Sequence, residues 1–134
     1  MSERLPSARP AQSAAQSIST QMVQLIARYS GRGPTRARTT LNSNLVAVVF
    51  SDVMTKAEQT LTSAGQVDDV RATRLRFQEI VRDEAREIVE VATGRSVQSV
   101  LADIDPENNT AVQVFILDEI EETGEVDIAE ATAA

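Results

Sequence analysis

RARTTLNSNLVAVVF, residues 36–50, decides the fold class. Two strand-like runs, Arg36–Leu41 and Leu45–Phe50, flank Asn42-Ser43-Asn44, and short β-branched runs around an Asn/Ser cluster predict a hairpin. The second run is almost wholly apolar, which suits a strand that is central in its sheet or covered on both faces.

Upstream, Gly31-Arg32-Gly33-Pro34 reads as a turn. Residues 14–30 before it place Ile18, Met22, Leu25, Ile26 and Tyr29 on one stripe of a helix. Gly31 stands where a helix end favours a positive φ, and Pro34 bars continuation. Downstream, Thr55-Lys56-Ala57-Glu58 has the capping-box pattern and opens a short helix that ends near Gly65. Asp68 or Asp69 can cap a longer helix over 69–93, closed by Gly94. Val97–Ile104 and Thr110–Leu117 then flank Asp105-Pro106-Glu107-Asn108-Asn109 as a second hairpin, with period-two alternation in Val112, Val114 and Ile116.

The order α-β-β-α-α-β-β predicts an α+β domain over residues 13–117: a four-stranded, mainly antiparallel sheet from two hairpins, with helices packed on one face. Residues 1–12 hold two prolines and no apolar periodicity, and 118–134 hold seven acids and no base, so both read as disordered tails. A homodimer is expected, because small sheets with apolar edges pair across two-fold axes.

Those seven acids account for the net charge of −7. Residues 1–117 balance at 13 basic and 13 acidic side chains, so the folded part lacks the basic excess of a nucleic-acid binder. No apolar run reaches the length of a membrane span, and the N-terminus lacks a continuous apolar signal core. The expectation is a cytoplasmic protein that reaches a membrane only through a partner.

With no His and no Cys, His- and Cys-based nucleophile systems and the usual zinc sites are excluded. A Ser-Lys dyad would need Lys56, the sole lysine, which falls in the first turn of a short helix, in water. Asp103, Asp105, Glu107 and Asn109 alternate in the manner of a calcium loop. However, Asn108 stands at the sixth position, where Gly is required, and Val114 at the twelfth, where Glu is required. The segment therefore reads as a hairpin turn, and no catalytic, metal or cofactor residue is assigned.

Two features remain as candidate interaction or ligand sites. Arg28, Arg32, Arg36 and Arg38 form the densest basic cluster, open to an anionic ligand, an acidic partner or the chain's own acidic segment. On the long helix, Val70, Phe77, Ile80, Val81, Ile88, Val91 and Ala92 share a face, with Glu84 near its middle. A buried carboxylate needs protonation, a partner or a subunit contact. Arg36 or Arg38 is the expected partner, with a ligand or proton site and simple exposure where the sheet ends as the alternatives.

GRGPTRART (31–39), VMTKAEQTL (53–61), Arg74-x-x-Phe77, ATGRSV (92–97) and VFIL (114–117) together resemble the MpsC-like family, a bacterial domain named for a sodium-translocating, membrane-potential-generating system. The likeness spans about residues 15–118. Gly31, Arg32, Gly33, Pro34, Thr35, Arg38 and Thr39 match its most specific motif. The resemblance implies a soluble accessory or regulatory subunit tied to ion transport, with the pore in another polypeptide. The competing expectation is a sensor of anions or nucleotides that uses the Arg28–Arg38 cluster.

Overall fold

Asn42 pairs with Leu45 across a two-residue turn, so the hairpin forms where residues 36–50 predict it. The computed structural model describes residues 13–118 and 126–132. The N-terminal segment 1–12 lies outside those residues. Strands β1 (Arg36–Asn42) and β2 (Leu45–Ser51) make the first hairpin, and β3 (Val97–Asp105) and β4 (Thr110–Leu117) the second. Helices α1 (Ala14–Ser30), α2 (Lys56–Ser63) and α3 (Val67–Thr93) complete the predicted order.

The sheet has five strands, not four, because β5 (Val126–Thr132) adds to it. Its order is β3-β4-β2-β1-β5, and every neighbouring pair is antiparallel. The fifth strand comes from the 118–134 segment expected to be a tail. It finds a vacant β1 edge and a charge partner at each end. Asp127 Oδ2 accepts from Ala15 N at 3.0 Å, at the positive end of α1, and Glu130 pairs with Arg36 at 3.0 Å. Two of the acids that argued for a tail thus help to dock it.

The long helices α1 and α3 pack on one face, as predicted. From α1 come Ile18, Met22, Leu25 and Ile26, and from the sheet Val46, Val48, Phe50, Phe115 and Leu117 meet them. Strand β2 is central but covered on one side only. Its alternate residues Leu45, Ala47 and Val49 lie on a face that no helix among the described residues covers.

Two local expectations need correction. The N-cap of α3 is Gln66, without a side-chain cap bond, and Asp68 and Asp69 lie in its first turn, where their charge still suits the helix dipole. The buried stripe of α3 is Val70, Arg74, Val81, Ala85 and Val89, roughly 60° around the helix from the expected face. Small and β-branched side chains sit closest to the sheet. Phe77, Ile88 and Ala92 pack on the flank of the core, while Ile80 and Val91 are each 72% exposed.

Candidate functional site

The GRGPT turn, the segment after β2 and the start of α3 converge on one corner of the molecule. Gly31 ends α1 at φ 79, and its N–H donates to Ala27 O. Gly33 runs so close to α1 that an added Cβ would lie 3.2 Å from the Ala27 Cβ, so the turn hugs the helix. Pro34 is buried behind it.

Arg32 is thereby aimed across the corner. Its Nη1 donates to the Asp52 and Met54 carbonyls at 2.7 and 2.8 Å, and its Nη2 to Asp52 Oδ2 at 2.8 Å. Thr35 Oγ1 donates to the same carboxylate oxygen at 2.5 Å, and Asn109 Nδ2 to Oδ1 at 3.0 Å. These bonds, that of Thr35 first and then those of Arg32, hold the Asp52 carboxyl below its usual range. Asn109 also accepts from Met54 N at 2.8 Å, so the second hairpin turn clasps the segment after β2. Asp52 and Asn109 both carry left-handed backbone, φ 58 and 52.

A second clamp lies beside the first. Arg74 Nε and Nη2 each reach a different oxygen of Glu58 at 2.8 Å, and Nη2 also donates to Val53 O at 2.8 Å. Glu58 is the predicted capping-box acid: it accepts from Thr55 N while its own N–H donates to Thr55 Oγ1. Burial alone would raise the Glu58 carboxyl, but Arg74 and the Thr55 N–H outweigh it and hold the group below its ordinary value. Phe77 lies under the guanidinium, 5.8 Å from its carbon to the ring centre. Three of the quoted motif blocks thus meet here: 31–39, 53–61 and Arg74-x-x-Phe77. The ATGRSV block serves another turn, where Arg95 Nη1 donates to Ser43 O at 2.9 Å.

The other candidates are scattered. Thr39 is buried beneath α1, its Oγ1 2.7 Å from Ser19 Oγ, which lies 2.9 Å from Ala129 O. A carbonyl can only accept, so the one Ser19 proton goes there and Thr39 donates to Ser19. Arg36 and Arg38 project from the helix-free face of the sheet beside a shallow cleft of about 300 Å³. Neither is the partner of Glu84, contrary to expectation.

Glu84 is partly exposed and pairs with α1, through Arg28 at 3.4 Å and the Tyr29 hydroxyl. The rotation of α3 described above carries Glu84 off the buried face to the seam between the helices. There it borders a groove of about 430 Å³ shared by Gln24, Glu87 and Val91.

Sequence reading missed Asp52, Asn109 and the Arg74–Glu58 pair. Only Arg74 left a signal, a charge in register with Val70 and Val81.

The Tyr29 contact has a spectroscopic consequence. The hydroxyl donates to Glu84, and that bond and the carboxylate's charge hold the phenol above its ordinary 10.0. Tyr29 is the only tyrosine and there is no tryptophan, so phenolate absorbance reports on it alone. The expected titration midpoint is above 10.0, falling back toward it in Glu84→Ala. Stabilisation from this contact is present below the unfolded value and fades as pH rises through the folded one. An unshifted midpoint in the wild type would show that the bond is not formed in solution.

The family model described as Na+-translocating membrane potential-generating system (MpsC) matches residues 11–119, which include every element except β5. Neither a curated protein nor a solved structure matches the chain.

Proposed function

This chain belongs to the MpsC family, and from that premise we propose that it is a non-catalytic accessory or regulatory protein of a membrane Na+ system, acting through contact. The family's description names the setting. The observation that supports a contact role is how the arginines of the basic cluster are used. Arg28, Arg32 and Arg36 each face a carboxylate of the chain itself: Glu84 at 3.4 Å, Asp52 at 2.8 Å and Glu130 at 3.0 Å. Their work is to hold loops and a strand in place, which preserves a surface.

Among the described residues, no helix is long and apolar enough to cross a membrane. In this reading the chain is cytoplasmic and reaches the membrane through a partner polypeptide that carries the ion. The sensor reading has less to draw on, since three of its four guanidinium groups are already engaged.

The tagged full chain, incubated with detergent-solubilised membranes of its own cells, is expected to retain an integral membrane transport protein. If folded chain retains none, the reading fails. A thermal-shift screen with anionic metabolites decides the alternative, in which stabilisation would appear and then fade in Arg36→Ala and Arg38→Ala.

A further inference from the structure

The two long helices cover one side of the sheet, and among the described residues no helix covers the other. On that other side the register aligns Ser99, Leu101 and Asp103 of β3 with Ile116, Val114 and Val112 of β4. It continues through Leu45, Ala47 and Val49 of β2 to Asn42, Thr40 and Arg38 of β1, and then to β5. Leu45, Val49, Leu101, Val126 and Ile128 are 40–56% exposed there, and they are most of the large apolar side chains that the described residues leave in water. Lone exposed apolar residues need no explanation, but a contiguous apolar sheet face does.

We infer that this face is the seat of a second copy of the chain, the two sheets stacking as a β-sandwich about a two-fold axis. Size is the first argument. The four strands that overlap about this axis, about 4.8 Å apart and seven residues long, make a footprint of roughly 19 by 23 Å. That flat footprint, enlarged by side-chain relief, is of the size of a small interface, below the ~800 Å² per partner of a standard one.

Charge is the second. The face carries two cations, Arg36 and Arg38, and three anions, Asp103, Asp105 and Glu130. A face without a basic excess suits neither an anionic lipid surface nor nucleic acid, both of which select one.

The placement of those charges is self-complementary. Arg38 and Asp103 lie in one row, joined through the pairs Arg38–Val49, Val49–Val112 and Val112–Asp103. A two-fold axis parallel to the strands, between β2 and β4, exchanges β2 with β4 and β1 with β3. Arg38 of each copy then stands over Asp103 of the other, while the β2 and β4 valines interleave at the usual ~10 Å sheet spacing and a crossing angle of about 30°. Arg38 has no carboxylate partner among the described residues, whereas Asp103 holds Arg71 at 2.7 Å and keeps an oxygen to offer. In this dimer both helical faces point outward.

Sedimentation and light scattering of the purified chain alone test this, so the outcome does not depend on any membrane partner. The wild type is expected at twice the 14.5 kDa chain mass. Val114→Glu and Leu101→Glu are each expected to raise the dissociation constant roughly 100-fold or more, because a symmetric interface carries the change twice. Leu101 is 56% exposed on the edge strand β3, so that variant keeps the fold if Val114→Glu does not. Arg38→Asp and Asp103→Arg should each weaken the dimer, and the double exchange should restore it. A wild type that remains at one chain's mass, free or on lipid vesicles, overturns the inference. So does a Leu101→Glu dimer as tight as the wild type.

Discussion

Arg74→Met is expected to lower the unfolding free energy by about 3 kcal/mol, toward the lower end of what breaking a buried ion pair costs. The side chain of Arg74 is 6% exposed and that of Glu58 16%, so removing the cation leaves a carboxylate with little water to turn to. The Val53 carbonyl loses its donor as well. The second half of the experiment is Arg74→Met with Glu58→Leu. Replacing both charges with apolar groups should recover much of the loss, because the penalty comes from the stranded charge more than from the pair's net worth.

Acid makes the same point with a definite sign. The Glu58 carboxyl is held below its ordinary 4.5, so its contribution is complete above that value and is lost as pH falls through the folded value. The gap between wild type and Arg74→Met should therefore narrow below pH 4.5. A constant gap in urea-unfolding curves across that range would mean that the ion pair is not what Arg74 contributes.

Ending the chain after Asp118 is expected to cost about 2–3 kcal/mol. About 1 kcal/mol is the cap that Asp127 gives the first turn of α1. The rest is apolar surface that β5 covers, chiefly where Ala129 and Ala131 lie against α1 and β1. The shortened chain should also associate non-specifically, since β1 would present an unpaired edge of seven residues. Asp127→Ala in the full chain isolates the cap. If truncation leaves both melting and amide exchange in β1 unchanged, β5 is not docked in solution.

The two predictions differ in how readable their residues were. Local chemistry wrote the helix limits into the sequence: Gly31 and Gly94 adopt left-handed caps, and Thr55 with Glu58 closes its box. Both hairpins were equally plain, because alternation and turn residues are local signals. Strand β5 was not. Val126 and Ile128 face water and the inward positions hold only Asp127, Ala129 and Ala131, so no apolar periodicity marks it. It becomes a strand because a distant edge and a helix N-terminus receive it.

The face of α3 was misread for a related reason. Bulky Ile80 and Val91 weigh heavily in a periodicity, while Ala85 and Arg74, which pack inward, weigh little or count against it. Asp52 was invisible because its partners Arg32, Thr35 and Asn109 come from two other segments of the chain.

Three consecutive carbonyls, those of Asp52, Val53 and Met54, are all held by arginine: the outer two by Arg32 and the middle one by Arg74. Each guanidinium serves a carbonyl and a carboxylate at once, a planar fork spanning acceptors that a lysine ammonium on its flexible stem could not hold together as rigidly. Twelve of the thirteen basic residues are arginine, a bias that genomic base composition alone could produce. At these two positions it has a stereochemical cause. Mutational drift from arginine to lysine should therefore be harmless at exposed Arg76 or Arg82 and damaging at 32 and 74, although the formal charge is the same at all four.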